Sequence, residues 1–165
     1  MENLWSLKAS EISKLYLSNE ISLHEIINSV EERFNQVNPK INAIPESTFE
    51  YARKQAKLLD DNKKNDKPLG CLAGVPVTVK INTDQTGFAS TNGLRLNKSL
   101  IAHKNSTVVD NLEKAGALIV GRTNTPAFSI RWFTNNSLHG HTFNPHNKRI
   151  TPGGSSGGAA SATAS

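Results

Sequence analysis

The stretch Thr151-Pro152-Gly153-Gly154-Ser155-Ser156-Gly157-Gly158 places four glycines around two adjacent serines, and a run of small residues, 159–165, follows it. Glycine permits positive φ and lets the backbone come close to a ligand or to another segment. A loop of this composition can hold hydroxyls and amide N–H groups in one concave place, as anion-binding nests do. Composition alone is equally compatible with a flexible linker. Both interpretations stay open at this point.

A lysine at the end of an apolar run is the second feature of interest. The run is Gly74-Val75-Pro76-Val77-Thr78-Val79, and Lys80 ends it. Such a run is typical of a buried strand. Burial disfavours the ammonium form of lysine, and a neutral lysine beside serine hydroxyls is the Ser–Lys variant of nucleophilic catalysis. The alternative is a surface lysine whose stem covers apolar surface while its amine lies in water.

Three blocks, in this order, resemble the amidase signature family. They are the lysine segment from Gly74 to Asp84, the segment Gly121-Arg122-Thr123-Asn124-Thr125-Pro126-Ala127-Phe128, and the set Leu138-His139-Gly140, Asn144-Pro145 and Thr151 to Gly158. The resemblance covers nearly the whole chain. It implies an α/β fold, an α/β/α sandwich around a mixed, largely parallel sheet that is C-terminally truncated here. Residues 1–165 would be the N-terminal part of one amidase domain, with a helical jacket over 1–67 and the start of the α/β core over 68–165.

The resemblance also implies a reaction and a site. The family hydrolyses carboxylic amides with a Ser–cis-Ser–Lys triad and without a metal or organic cofactor. Lys80 corresponds to the base, and Ser155 to the serine that follows a cis peptide bond and relays the proton. Ser156, Gly153 and Gly154 are expected around the substrate. The family's nucleophilic serine lies further along, in another glycine-rich segment, so these 165 residues alone are expected to be inactive.

Two other functions remain open. The A subunit of glutamyl-tRNA amidotransferase shares the same signature and works with partner subunits on glutamine, although the segment Phe128–Phe133 is more similar to free-standing amidases. A non-catalytic gene remnant is the other alternative. The expected partners are a small-molecule amide and, for a full-length form, a second copy or amidotransferase subunits. Position 81 is Ile where the family usually has an acidic residue, which indicates either relaxed selection or an unusual subgroup.

Composition and short sequence patterns limit the partners, the location and the metal sites that we expect for the protein. The net charge of +5 comes from scattered basic residues, so no direct nucleic-acid binding is expected. No signal peptide is visible and no apolar run reaches the roughly 20 residues of a membrane helix, which predicts a cytoplasmic protein. The single cysteine, Cys71, is interpreted as a packed small hydrophobe. His139, His141 and His146 lack a cysteine or acidic residue beside them, so no metal site is predicted.

Hydrophobic periodicity predicts helices and strands that would position these motifs. The predicted helices cover 6–19, a segment from a Ser22–Glu25 capping box to Asn38-Pro39, and a segment from a Ser47–Glu50 capping box to about Leu59, followed by an exposed loop over 60–67. The next part of the chain is predicted to form a βαβ unit, with ligand loops beyond the strand ends. It consists of a strand to Lys80, a helix capped by Asn105 or Ser106 and ending near Gly116, and a strand over 118–120. Residues 131–152 are predicted to be loop, and a helix to follow Gly158.

Overall fold

The computed structural model describes residues 3–165 of the chain. The α-helices are α1 (Ala9–Leu17), α2 (Leu23–Ile41), α3 (Phe49–Lys64), α4 (Thr107–Lys114) and α5 (Gly157–Thr163). The strands are β1 (Glu46–Ser47), β2 (Pro76–Lys80), β3 (Leu118–Thr123), β4 (Asn135–Asn136) and β5 (Gly140–His141). Within residues 3–165, no helix combines the length and the apolar character that crossing a bilayer requires.

A three-stranded sheet with the order β1-β3-β2 carries the segment that ends at Lys80. β1 is antiparallel to β3, with Glu46 opposite Arg122. The other pair is β2 and β3. At one end of this pair Leu118 N donates to Val75 O at 2.8 Å, and at the far end Ile81 N donates to Thr123 O at 3.0 Å. These contacts advance along both strands together, so β2 and β3 run in the same direction. The predicted βαβ unit and mixed sheet are therefore present.

The chain divides into two compact units, each built from three separate segments. Unit 1 comprises residues 1–35, 48–77 and 110–120, and unit 2 comprises residues 36–47, 78–109 and 121–165. α2, β2, β3 and α4 each contribute residues to both units. The sequence-based division into a jacket of residues 1–67 over a core of 68–165 concerns how parts of the chain sit together, and it stays a prediction.

Unit 1 has a continuous apolar core formed by its helices and the first half of β3. The helical positions repeat every three or four residues, which places one face of each helix toward the core. Buried members are Ile12 and Tyr16 of α1, Ile26 and Ile27 of α2, Ala52, Ala56 and Leu59 of α3, and Leu118 and Val120 of β3. The rings of Phe34 and Phe49 meet edge to face at 5.4 Å between centroids. The predicted single apolar face of these helices is confirmed.

α2 continues beyond its predicted end. The helix runs to Ile41 with Pro39 inside it, so the predicted stop at Asn38-Pro39 is wrong. Proline removes one N–H donor from the helix, but the last turn closes with Asn42 N donating to Asn38 O at 2.8 Å. The Asn38 side chain then accepts from Ala43 N at 3.0 Å and Ile44 N at 2.9 Å. The Asn38 side chain thus satisfies two N–H groups of the segment that follows the helix.

α3 differs from its prediction at both ends. Its N-cap is Thr48, and Ser47 belongs to β1, so the predicted Ser47–Glu50 capping box is wrong. Thr48 is instead used to bind β3, with its N–H on Val120 O and its hydroxyl on Ile119 O at 2.8 Å. At the other end α3 continues to Lys64 through residues predicted as an exposed loop. Tertiary contacts hold this last part, because the Tyr16 hydroxyl donates to Asp60 and the Lys63 amine donates to Tyr16 O.

Four smaller features can be compared with the sequence predictions: the start of α4, the loop 131–152, Cys71 and β2. Ser106 caps α4 by accepting from Val109 N at 3.4 Å, while Asn105 accepts from Thr86 N at 2.7 Å. The predicted loop 131–152 contains the short antiparallel pair β4–β5. Cys71 is exposed rather than packed, because it lies in the turn before β2. The prediction of a buried strand before Lys80 is only partly right, since β2 is half-buried apart from Val79 because it lies at the edge of this sheet.

Candidate active site

Lys80 and the serine loop lie together in unit 2. Lys80 is the last residue of β2, and the loop of residues 151–156 leads directly into α5. The Lys80 Nζ lies 2.8 Å from Ser155 Oγ and 3.2 Å from Ser156 Oγ. Both distances are within hydrogen-bond range. Two groups separated by 75 positions in the sequence therefore share one polar contact.

The Lys80 amine is half-buried, and burial lowers its pKa below the usual value for lysine. Burial acts in this direction because the charged ammonium loses solvation and the neutral amine does not. The following residue, Ile81, is fully buried, and its backbone N–H binds Thr123 O in the sheet. An acidic side chain at this position would be buried in place of the apolar one.

The backbone of the serine loop lies tightly against a neighbouring segment. The peptide bond between Gly154 and Ser155 is cis, as the family resemblance implies, and Gly153 has φ +88°. A Cβ on Gly154 would come within 2.5 Å of Arg131 O and 2.6 Å of Phe133 N. Only glycine fits at position 154, because both neighbours are backbone atoms. Contact of Gly153, Gly154 or Ser156 with a substrate stays a prediction.

Two threonines hold the carbonyl groups of this loop. Thr125 Oγ1 donates to Ser155 O at 3.1 Å, and Thr134 Oγ1 donates to Gly153 O at 3.1 Å. Thr134 Oγ1 also accepts from Gly157 N at 3.0 Å, at the start of α5. Both threonines are fully buried. The sequence analysis did not single them out, although Thr125 lies within the block Gly121–Phe128 that resembles the family.

A chain of polar side chains extends from Thr125 to the loop that follows Lys80. Thr125 Oγ1 lies 2.8 Å from Ser129 Oγ, and Asn82 Nδ2 donates to Ser129 Oγ at 3.1 Å. Ser129 is also 2.7 Å from Asn92 Oδ1. Asn82 follows Lys80 by two positions. Polar side chains thus lie in close contact from the segment after Lys80 to Thr125, which binds the serine loop.

Arg122 binds the loop that follows Lys80 from inside unit 2. Its guanidinium is fully buried and donates to Glu46 Oε2 at 2.9 Å, to Gln85 Oε1 at 3.2 Å and to Ala89 O at 2.9 Å. Weaker contacts reach Thr83 O and Ile81 O. Burial lowers the Arg122 pKa from its usual value, and the Glu46 carboxylate partly opposes this shift. The sequence analysis missed this residue, because its partners are distant in sequence or are backbone carbonyls.

The three histidines of residues 139–146 do not gather around a common point as metal ligands would. Among residues 3–165, no group of three or more His, Cys, Asp or Glu side chains is arranged to hold a metal ion. His139 is half-buried, and burial lowers its pKa, with Glu46 opposing and Arg122 reinforcing the shift. The carbonyls of His139 and His141 accept hydrogen bonds from Asn42 Nδ2 at 2.7 and 3.0 Å, so this loop has a structural role.

Comparison with known proteins identifies the family. The family model described as Amidase matches residues 25–165. Over 98% of its length, the chain is 44% identical to indoleacetamide hydrolase of Bradyrhizobium diazoefficiens, covering 31% of that protein. It is 39% identical, over 98% of its length, to the A subunit of glutamyl-tRNA(Gln) amidotransferase of Fusobacterium nucleatum, covering 33% of that protein.

A solved structure shows that the similarity extends to the fold. The crystal structure of a bacterial aryl acylamidase of the amidase signature enzyme family matches 94% of this chain with a TM-score of 0.89 and 34% identity, and 32% of that chain is covered. The predicted α/β fold class is therefore confirmed. The chain spans about a third of the length of the curated relatives it matches. The model match over most of the chain, the sequence identities and the shared fold establish that the chain belongs to the amidase family.

Proposed function

We propose that this chain supplies the base and the proton-relaying serine of a site that hydrolyses carboxylic amides. Lys80 is the base and Ser155 is the relay. The observation that carries the proposal is the 2.8 Å contact between Lys80 Nζ and Ser155 Oγ, made by an amine whose pKa burial lowers. A base and a hydroxyl at hydrogen-bond distance meet the geometric requirement for general base catalysis.

The proposed chemistry moves one proton along this pair. When the Lys80 amine is neutral, its lone pair accepts the proton of the Ser155 hydroxyl, while Ser155 Oγ accepts the proton of the attacking hydroxyl. That hydroxyl then adds to the amide carbonyl carbon, and the C–N bond breaks as the proton returns from Lys80 through Ser155 to the leaving nitrogen. The lowered pKa of Lys80 favours this role, because a larger fraction of the amine is neutral near physiological pH.

The remaining predicted site residues fit around this pair. Ser156 Oγ, 3.2 Å from the Lys80 amine, is exposed and accessible to a substrate group. The backbone at Gly153 and Gly154 lacks side chains that would screen the serines. Names of relatives, indoleacetamide hydrolase and acylamidase, support a small-molecule carboxylic amide as the substrate class. The proposed reaction requires no metal or organic cofactor.

The 165 residues by themselves are proposed to turn over no amide. The family resemblance assigns the nucleophilic serine to a later glycine-rich segment, which is not part of these residues. Without the nucleophile the acyl transfer step is lost altogether, because base and relay have nothing to activate. Ammonia release from simple primary amides by the purified chain is therefore expected to equal the rate without protein.

A chimera tests the roles of Lys80 and Ser155 directly. Residues 1–165 of this chain would replace the corresponding third of the Bradyrhizobium indoleacetamide hydrolase, to which the chain is 44% identical. We expect the chimera to release ammonia from indoleacetamide. Lys80→Ala and Ser155→Ala should each lower its kcat by about 10²–10⁴-fold, the usual contribution of a positioned acid or base.

Lys98→Ala serves as the matched control in the chimera, since Lys98 is an exposed lysine in the same unit. It should leave kcat unchanged. Full activity of the Lys80→Ala chimera would refute the proposal. Melting curves of each chimera show whether a loss of activity reflects unfolding.

A role as the A subunit of a tRNA-dependent amidotransferase is the second candidate. It is supported by the 39% identity to the Fusobacterium nucleatum protein over nearly the whole chain. A second chimera, built into that protein and combined with the other amidotransferase subunits, separates the two functions. The amidase proposal expects activity in the hydrolase chimera only, whereas glutamine-dependent activity in the amidotransferase chimera only would favour the second candidate.

A further inference from the structure

We propose that Thr125 and Thr134 are positioning residues that hold Ser155 at hydrogen-bond distance from Lys80. The inference rests on the proposed function, because it concerns the geometry of the same base and relay. Neither threonine touches Lys80, so both act through the backbone of the serine loop. Their place in the fold and the chemistry of their hydroxyls carry the argument.

The two hydroxyls act on the carbonyls of the two residues that flank Gly154. Thr134 Oγ1 donates to Gly153 O and Thr125 Oγ1 donates to Ser155 O, each at 3.1 Å. Thr125 follows the end of β3 and Thr134 precedes β4, so two separate segments hold one short loop. Fixing the carbonyl on both sides of Gly154 fixes the direction in which the Ser155 side chain leaves the backbone.

Both threonine side chains are fully buried, whereas Gly153 and Ser155, whose carbonyls they bind, are half-buried. A valine at either threonine would place an apolar side chain against the carbonyl and remove its donor, which costs the net value of the hydrogen bond and part of the desolvation of the carbonyl. Thr134 has a second partner, because its oxygen accepts from Gly157 N at 3.0 Å. It therefore links the Gly153 carbonyl to the first residue of α5.

Proton accounting shows how Thr125 acts on the serine loop. The Ser155 carbonyl can only accept, so the proton in that contact belongs to Thr125. The single hydroxyl proton of Ser129 goes to Asn92 Oδ1, 2.7 Å away, which can also only accept. The 2.8 Å contact between Thr125 Oγ1 and Ser129 Oγ therefore has no proton of its own when both of these hydrogen bonds are formed. Thr125 thus supports Ser155 directly, through the Ser155 carbonyl.

The expected consequence of losing a hydroxyl is a change in the Lys80 amine. If the serine loop shifts, water reaches Lys80 and its pKa returns toward the value of an exposed lysine. A change in overall stability does not produce this effect while the protein remains folded. The Lys80 pKa is therefore a readout that separates positioning of the site from a contribution to the fold.

The experiment compares variants of the full 165-residue chain. Thr125→Val and Thr134→Val remove the hydroxyl with little change in shape, and Thr125→Ser and Thr134→Ser keep it. Thr48→Val is the matched control, since Thr48 is also buried and donates to a backbone carbonyl, Ile119 O at 2.8 Å, in unit 1. The Lys80 pKa is obtained from the pH dependence of its acetylation by acetic anhydride, followed by mass spectrometry below the melting temperature of each variant.

In each of the two valine variants in unit 2, we expect the Lys80 pKa to rise toward that of an exposed lysine. The rise should be at least half of the amount by which the pKa is lowered in the unmodified chain. The serine variants and Thr48→Val should keep the pKa of the unmodified chain. If a valine variant does not melt cooperatively, the serine variant at that position tests the inference instead. It loses only a methyl group and keeps the hydroxyl, so a changed Lys80 pKa in it would contradict the inference.

An unchanged Lys80 pKa in both valine variants would overturn the inference, as would an equal change in Thr48→Val. An ordinary Lys80 pKa in the unmodified chain would overturn it too. None of these results decides the proposed function, which is judged by amide hydrolysis in the Lys80→Ala chimera. The two proposals can therefore fail independently.

Discussion

Two buried or half-buried cations of unit 2 have very different partners. Arg122 has a carboxylate, an amide oxygen and three backbone carbonyls around its guanidinium. Among residues 3–165, the hydrogen-bond partners of the Lys80 amine are two hydroxyls. A guanidinium stays charged when its five donors are satisfied, whereas a partly desolvated amine shifts readily toward its neutral form. The same unit thus keeps Arg122 as a fixed structural charge, whereas the environment of Lys80 has the properties that its proposed role as a base requires.

His139 predicts a pH dependence of stability on the acid side. Burial lowers its pKa in the folded chain, so the unfolded chain binds the proton more strongly. The contribution of neutral His139 to the stability of the folded chain is fully present above the unfolded pKa of about 6.5. It is lost as the pH falls through the pKa of the folded chain. We expect the melting temperature to decrease as the pH is lowered below that range, and His139→Gln to remove part of the decrease.

Differential scanning fluorimetry over this pH range measures the effect, with His103→Gln as the control because His103 is exposed. The charged neighbours that act on the His139 pKa are Glu46, which opposes the shift, and Arg122, which reinforces it. An acid-side decrease of the same size in His139→Gln and in the unmodified chain would contradict the prediction.

At the scale of elements, the serine loop depends on two glycines for different reasons. Gly153 has φ +88° but open space where a Cβ would lie, so Gly153→Ala should cost only about 1–2 kcal/mol of backbone strain. In Gly154→Ala the new Cβ would meet Arg131 O and Phe133 N, at 2.5 and 2.6 Å. Because both atoms belong to the backbone, the segment 131–133 or the loop must then move, and we expect a cost of about 3 kcal/mol, at the upper end of the range for overpacking.

Urea unfolding of the two alanine variants measures this difference. Gly154→Ala should lose more free energy of unfolding than Gly153→Ala. Equal losses would show that contact with residues 131–133 does not determine the glycine at position 154.

At the scale of the molecule, several large apolar side chains are exposed to solvent. Trp132 is 88% exposed in the segment 131–133 that lies against Gly154, and Ile130, directly before this segment, is 76% exposed. Clustered exposed apolar residues promote association between molecules. We expect the 165-residue chain to self-associate as its concentration rises, and the double variant Ile130→Ser, Trp132→Ser to do so less.

Sedimentation velocity over a range of concentrations tests this expectation. Leu58→Ser is the control, because Leu58 is 66% exposed but lies on α3, outside that segment. If Leu58→Ser reduced association as much as the double variant, general surface hydrophobicity rather than the segment around Trp132 would be responsible.

Much of the secondary structure follows from local sequence. The Ser22–Glu25 capping box is present, with both reciprocal hydrogen bonds, because its groups lie within one turn. β2 ends at Lys80 as predicted, where polar residues follow Ile81. The ends of α2 and α3 were predicted too early. α2 continues because Asn42 N still binds Asn38 O across Pro39, and contacts with Tyr16 hold the last part of α3.

The sequence by itself determined the α/β class, the place of Lys80 at a strand end and the glycine–serine loop, because each rests on neighbouring residues or on resemblance to a family. Only the tertiary structure decided that Thr125, Thr134 and Arg122 support this loop and the one after Lys80. Their partners are mostly backbone carbonyls from distant segments. Every residue carries a carbonyl, so the sequence gives no sign of which one a buried donor will meet until the chain has folded.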